Sequence, residues 1–287
     1  KSEDCKDRRT KDNRGRCALR APVYSLDGKK VEDMELPLVF STPYRPDTIN
    51  KAYVNLQSYL FQPQGRDPLA GERTSAMSRN TGLGIARMAR VKGSGFPRSG
   101  QAAGVGGVVK GRLAHHPTSE KVIVKRLNKK EKKLALCSAI AATASKELVS
   151  ARGHRVDKVT IPLIVTDDIE KVAKAKELRN VLDSLNLSDD LDRVKNGWKK
   201  RSGRSRMRGR VGRAGKSVLI VVKNDDDVSK AAGSILGVDV TSVKNLSVLH
   251  LAPGSHPIRL ALWSKGAVEQ LQSLSNHTIE LMELVRK

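Results

Sequence analysis

Between Lys195 and Lys216 stand Lys195, Lys199, Lys200, Arg201, Arg204, Arg206, Arg208, Arg210, Arg213 and Lys216, with no Asp or Glu among them. Gly197, Gly203, Gly209, Gly212 and Gly215 punctuate the run. A guanidinium offers a planar fork of N–H donors that can meet two phosphate oxygens at once. Glycine beside it lets the backbone approach a phosphate closely. Such a segment serves recognition of a polyanion, not bond making. A charge run is usually a solvated face, but this one has no counter-charge and no helical phase, which favours nucleic-acid contact. Trp198 could stack on a base or anchor the loop in the core, and the anchor is the preferred reading.

A second stretch, 62–118, carries Arg66, Arg73, Arg79, Arg87, Arg90, Lys92, Arg98, Lys110 and Arg112 against only Asp67 and Glu72. Eleven glycines fall here, and apolar periodicity is lost. Loops beyond about 12–15 residues are normally functional or disordered. A flexible linker rarely carries so much charge of one sign together with scattered Ile, Val, Met and Phe, so an extension that penetrates folded RNA is preferred. His115 and His116 lie near its end with no Glu or Cys at ligand spacing. Phosphate or base contact, or plain surface, fits them better than a metal.

Enzymatic motifs fail on inspection. Gly215-Lys216-Ser217 resembles the end of a phosphate loop, but Arg210 stands where that motif needs glycine, and a strand follows instead of a helix. Gly104, Gly106, Gly107 and Gly111 do not make Gly-x-Gly-x-x-Gly. No nucleophile–base arrangement can be argued, and Asp167-Asp168 precedes a helix, where capping is the default. No catalytic residue, metal or cofactor is expected.

The elements that hold these segments follow from periodicity. Val23 to Leu26 is strand-like, with a turn at Asp27-Gly28. Pro46-Asp47 opens a helix over Thr48 to Leu60, capped by Asp47. Asn128 with Glu131 resembles a capping box. It starts a helix striped by Leu136, Ile140, Ala144 and Leu148 and ended by Gly153. Ala139, Ala141, Ala142 and Ala144 permit close packing. Ile161 to Val165 reads as a buried strand. The next helix carries Leu178, Val181, Leu182 and Leu185, while Ile169, Val172 and Ala173 fall on another face, so it kinks or starts late. Ser217 to Val222 is the best strand. A helix near Val228 to Leu236, strands at Val238 to Val243 and Arg259 to Trp263, and a helix over Ala267 to Leu274 follow. Asn245 to Leu251 fits strand and short helix alike. The alternation predicts an α/β fold: a Rossmann-like parallel sheet flanked by helices, with one long irregular basic loop extension.

The whole chain shares the imbalance: 54 Lys and Arg against 30 Asp and Glu, a formal net charge of +24. Self-repulsion on that scale calls for a polyanion, with phosphate backbone the usual source and an acidic membrane surface the other candidate. Aromatics are only 3%, which argues against a single-strand binder that stacks bases. Cys5, Cys17 and Cys137 have no zinc spacing, and a reducing compartment fits them. No apolar run reaches the ~18 residues of a membrane span. The expected organisation is a charged, disordered arm at 1–20, a globular core from 21–61 and 119–287, the loop at 62–118, and a second basic loop at 195–216.

Several motifs resemble the large-subunit ribosomal protein L4 family. They are Leu36-Pro37-Leu38-Val39-Phe40, Pro43-Tyr44-Arg45-Pro46-Asp47, Leu69-Ala70-Gly71-Glu72-Arg73-Thr74-Ser75-Ala76 and Thr81-Gly82-Leu83-Gly84-Ile85-Ala86-Arg87 with Arg90-Val91-Lys92-Gly93. Lys110-Gly111-Arg112-Leu113-Ala114-His115-His116-Pro117, Leu127-Asn128-Lys129-Lys130-Glu131-Lys132 and Leu251-Ala252-Pro253-Gly254 continue it in order. The resemblance runs from about Ala21 onward; Lys1 to Arg20 and the loop middle, Ser94 to Gly107, depart from it. The absence of a long C-terminal tail favours the archaeal type. The resemblance implies a structural constituent of the large subunit, located in the cytoplasm on the ribosome. Its partners would be large-subunit rRNA, neighbouring large-subunit proteins and, as a further candidate, the nascent chain, with no membrane and no second copy of itself. It implies that the loop lines part of the peptide exit tunnel, with Arg79, Gly82, Arg87, Arg90 and Lys92 at its tip. Composition alone shows only that the loop is long, basic and glycine-rich.

Two other readings compete. A free RNA-binding regulator would share the charge pattern. An RNA methyltransferase would need a glycine-rich turn after the first strand and an acid after the second, and neither is present.

Overall fold

The computed structural model describes residues 9–11, 17–256 and 258–272, with side chains from residue 19 onward except Asp226. Cys5, most of the expected arm and the end of the expected 267–274 helix lie outside the described residues. By internal contacts the chain divides into two units, one from Lys1–Gln57 and Arg126–Lys287 and one from Ser58–Lys125.

In the first unit, β1 (Arg9–Lys11) pairs antiparallel with β2 (Cys17–Tyr24), and β3 (Lys30–Glu35) returns antiparallel along β2. The strand therefore begins at Cys17, ahead of the core boundary drawn at residue 21. Gly28 makes the β2–β3 turn at φ 79°, where a Cβ would stand 2.5 Å from the Ser184 carbonyl oxygen. Helix α1 (Pro46–Ser58) starts two residues earlier than expected. Proline suits a first helical position because its missing N–H has no partner to lose there. Asp47 lies inside the first turn, 3.4 Å from the Arg45 guanidinium, and is not the cap.

The second unit contains β4 (Met77–Ser78) and β5 (Ala89–Arg90). The first unit then resumes with α2 (Lys129–Ala142) and α3 (Lys146–Ala151). One continuous helix to residue 152 was expected, but the chain breaks at 143–145. Thr143 donates its hydroxyl to the Ile140 carbonyl at 2.6 Å and so closes the end of α2 locally. The capping box does not form. Asn128 makes no side-chain cap bond, and Glu131 instead pairs with Lys51 at 2.9 Å. The buried residues of α2 are Ala135 and the run Cys137 to Ala142. Leu136, Ala144 and Leu148 of the expected stripe are only partly buried. Gly153 follows α3 at φ 94° as the expected C-terminal glycine.

Strand β6 (Leu163–Val165) starts after Pro162, which has no N–H to give to the sheet. A short 3-10 turn at Asp167–Lys171 precedes α4 (Ala175–Ser184), so the helix does start late. Helix α5 (Ser188–Asn196) was not anticipated; Asp189 and Asp190 in its first turn, with Leu191 and Val194 on one face, were the available signal. Then come β7 (Lys199–Lys200), α6 (Gly203–Met207), β8 (Gly212–Arg213), β9 (Leu219–Val222), α7 (Asp226–Ala232) and β10 (Asp239–Ser242). The ambiguous stretch near residue 250 is a short helix, α8 (Val248–Leu251). Strand β11 (Ala261–Ser264) leads into α9, which begins at residue 265.

Seven of the described strands form one sheet ordered β1-β2-β6-β11-β9-β10, with β3 also on β2. Strands β2, β6, β11, β9 and β10 are mutually parallel. Because side chains alternate across a strand, each central strand feeds two cores. Ile164, Leu219, Val221 and Trp263 face α1, α2 and α8, and Phe40 meets Trp263 edge-on at 5.6 Å. Leu163, Val165, Ile220, Val222 and Leu262 face α4, α5 and α7. This is the parallel α/β sheet covered on both faces that the alternation predicts.

Candidate nucleic-acid interface

The unit Ser58–Lys125 is a doubled-back ribbon. Its base is zipped by the Lys125 N–H donating to Ser58 Oγ at 2.9 Å and the Arg66 N–H donating to the Pro117 carbonyl at 3.0 Å. These bonds extend the unit beyond the expected 62–118. Farther out, β4 and β5 pair antiparallel, and the Ala103 N–H adds a bond to the Ala89 carbonyl at 3.0 Å. The segment thus has local structure without a core. Leu60, Phe61, Leu69, Leu83, Ile85, Phe96 and Val109 are all exposed.

The basic side chains point outward. Arg66, Arg73, Arg79, Arg87, Lys92, Arg98, Lys110, Arg112 and His115 are exposed, and His116 is half-buried. Gly82 sits in the turn between β4 and β5 at φ 89° with nothing near its missing Cβ. Arg90 differs from the other expected tip residues. It is half-buried and donates Nη1–H to the Gly100 carbonyl at 2.9 Å, so it braces the ribbon from inside. Arg73 pairs with Asp67 at 2.7 Å, in the open, where such a pair contributes little.

Gly71 is a point of close backbone approach in the ribbon. At φ 88°, an added Cβ would stand 2.4 Å from the Gly111 carbonyl oxygen. Gly71→Ala adds this clash to a left-handed backbone, whereas Gly82→Ala adds only the backbone strain, on the order of 1–3 kcal/mol. We expect amide hydrogen exchange at Glu72 and Gly111 to rise at least about tenfold in the first variant and far less in the second, with β9 amides unchanged in both. Equal effects would mean that the close approach at Gly71 carries no stability.

In the first unit, 195–216 is a two-stranded ribbon with a helical turn at its end, not a structureless loop. Lys199 stands opposite Arg213 and Lys200 opposite Gly212. Like charges facing across a strand pair repel, and a bound anion relieves this. Lys199, Lys200, Arg204, Arg206, Arg208, Arg210 and Arg213 are exposed, and Arg201 is half-buried. Among the described residues, none of these eight faces a carboxylate within 4.0 Å. Trp198 does not anchor the segment in the core. It is 43% exposed and packs on the ribbon itself, where a Cβ on Gly212 would meet its Nε1 at 2.6 Å.

The stems of this ribbon are fixed by a buried polar network that sequence reasoning missed. Asp190 of α5 is fully buried. It accepts hydrogen bonds from Ser217 Oγ at 2.6 Å, Arg193 Nε at 2.8 Å, His154 Nδ1 at 3.1 Å and the Arg155 N–H at 3.2 Å. Arg193 also donates to the Lys216 carbonyl at 2.9 Å. Burial alone would raise the Asp190 carboxyl, but the bonds from His154, Arg193 and Ser217 hold it well below the ordinary carboxylate range. Beside it, Arg259 is almost fully buried. It donates to the carbonyls of Ser217, Val218 and Gly237 and pairs with Asp239 at 2.5 Å. Read from sequence, Arg259 was only the first residue of a strand.

Among the described residues there is no cluster of three or more side chains able to hold a metal, and no helix long and apolar enough to cross a membrane. The class defined by fold and site is an α/β protein that carries two basic ribbons with exposed cations. A profile of the ribosomal protein L4/L1 family matches residues 34–274. The large ribosomal subunit protein uL4 of Sulfolobus acidocaldarius is 47% identical over 251 residues, covering 87% of this chain and 92% of that protein. That of Sulfurisphaera tokodaii is 46% identical with the same coverage. That of Methanosphaera stadtmanae is 45% identical over 253 residues, 88% of this chain and 96% of that protein. The chain belongs to the ribosomal protein L4/L1 family, whose members are structural proteins and not enzymes, and these relatives are archaeal.

Proposed function

We propose that this chain is a structural constituent of the large ribosomal subunit that binds large-subunit rRNA through its two basic ribbons. The extended ribbon at 58–125 lines part of the nascent-peptide exit tunnel, and its turn around Gly82, with Arg79, Arg87 and Lys92, approaches the peptide path. Neighbouring large-subunit proteins and the nascent chain are its further partners. The carrying observation is that both ribbons expose many cations and few carboxylates, and the longer one also exposes apolar side chains with no core of its own. Arg and Lys neutralise phosphates, while backbone rich in glycine fits between RNA helices.

The test is sedimentation of lysate from cells carrying the tagged chain, on a sucrose gradient in high salt. The chain is expected to run quantitatively with the large subunit. Retention near the top would overturn this reading in favour of a free RNA-binding regulator. For the tunnel, a photo-crosslinker at position 82 should capture nascent chain on stalled ribosomes, while one at position 176, on α4, should not.

A further inference from the structure

Trp198 opens the 195–216 ribbon, its N–H bonded to the Lys195 carbonyl at 3.3 Å at the end of α5. Its indole is not sheltered: the residue is 43% exposed, whereas the second tryptophan of the chain, Trp263, is fully buried. The ring is nonetheless held in place. A Cβ at residue 212 would lie 2.6 Å from its Nε1 and 2.9 Å from both Cε2 and Cζ2, so the indole fills the space that glycine leaves on the ribbon. Lys199 stands opposite Arg213 and Lys200 opposite Gly212, which puts Trp198, Lys200 and Gly212 on one face by strand alternation.

The surroundings select what can cover the exposed ring. No Asp or Glu occurs from Lys195 to Lys216. Lys199, Lys200 and Arg213, its neighbours in the ladder, are exposed. The other exposed large apolar side chains of the ribbon are Met207, in α6, and Val211. The Arg201 N–H bonds the Val211 carbonyl at 2.9 Å, so the ladder continues to that pair, and alternation puts Val211 on the opposite face. The indole is thus a single aromatic surface set among cations, not part of the apolar patch that the core of a protein–protein interface needs. An unpaired nucleobase matches it. The π face of the base stacks on the ring, and the phosphates of the same strand meet the flanking cations.

We propose that Trp198 is a stacking platform for one unpaired base of the RNA that the 195–216 ribbon binds. A chain with 3% aromatics lacks the row of rings that a single-strand binder uses, but one ring suits one base turned out of a loop or bulge. The proposal rests on the rRNA-binding reading above and adds a base contact to its phosphate contacts.

The test uses the full chain and a large-subunit rRNA fragment. Affinity is measured across a salt series for the wild type, Trp198→Ala and Trp198→Phe. Loss of one stacked base lowers affinity about five- to 150-fold. Trp198→Ala is expected to fall in that range at an unchanged log–log salt slope, because the ring neutralises no phosphate. Trp198→Phe keeps an aromatic face and should recover most of the loss. A reduced slope in Trp198→Ala would mean that the ring only holds the ribbon in shape, and an unchanged affinity would mean that nothing stacks there. Either result overturns the proposal and leaves the rRNA reading intact, whereas failure of the wild type to bind rRNA overturns that reading. The wild type also gives a readout that survives misfolding of the alanine variant. Trp263 is buried, so emission quenched on binding belongs to Trp198. Single-stranded oligoadenylate should quench it, and an RNA duplex of the same length, held through its phosphates, should not. Equal quenching by the two, or none by either, would overturn the proposal. A photo-crosslinker at position 198 in purified large subunits should attach to rRNA; attachment to protein alone would overturn the base assignment in favour of a protein contact.

Discussion

Asp190→Ala is expected to destabilise the chain by about 3–5 kcal/mol, the usual consequence of removing one partner from a buried charged pair. The substitution strands Arg193, the Ser217 hydroxyl and the Arg155 N–H, and it removes the carboxylate that His154 Nδ1 bonds. Chemical denaturation read by far-ultraviolet circular dichroism checks it. A loss below about 1 kcal/mol would show that the network is dispensable. The pH dependence has a definite sign. The Asp190 carboxyl titrates lower in the folded chain than in the unfolded one, so its stabilisation is present above the ordinary carboxylate range and lost as pH falls through the folded value. Burial, opposed by the Asp190 bond, lowers His154 from 6.5, so the folded state keeps a neutral ring where the unfolded chain takes a proton. Stability therefore declines as pH falls below about 6.5 and declines further in the carboxylate range. His154→Gln should flatten the upper part of that fall and leave the lower part.

Neutralising Arg204, Arg206, Arg208 and Arg210 to Gln is expected to lower the log–log salt slope of rRNA binding by about 3, since four phosphate contacts contribute about 0.7–0.9 each. At 0.15 M salt this corresponds to roughly a hundredfold or greater loss of affinity. The four side chains are exposed, and none faces a carboxylate among the described residues, so the unfolding midpoint should not move. Fluorescence anisotropy across a salt series separates the outcomes. A slope unchanged in the folded variant means that these arginines do not touch phosphate. A weakened affinity at constant slope would point to lost shape complementarity instead.

Much of the fold was legible because it is local. Leu163 to Val165 and Leu219 to Val222 are runs of β-branched and aliphatic residues buried on both faces, which is the mark of a parallel strand. The late start of α4 followed from Ile169 and Val172 lying off its stripe. Helix limits were less legible: the break at Thr143 depends on a side-chain bond that no periodicity announces. Within the candidate site, the one-sign charge of both ribbons was plain from composition. Arg90, however, turns inward, and nothing in its spacing distinguishes it from Arg87. Trp198 packs on Gly212 fourteen residues away, and that pairing exists only because β7 and β8 meet.

The sequence by itself determined that this chain carries a large excess of cations, that its core is an aliphatic α/β sheet, and that two segments lack any core, because charge, apolar period and glycine content are properties of neighbouring residues. Tertiary structure alone decided that β11, late in the chain, enters the middle of the sheet between β6 and β9. It alone buried Asp190 and Arg259 and gathered Arg152, Arg193 and Lys216 around one cavity. Those outcomes depend on pairings between distant segments, which are settled when the sheet closes and its two faces are covered, and they leave no trace in short-range spacing.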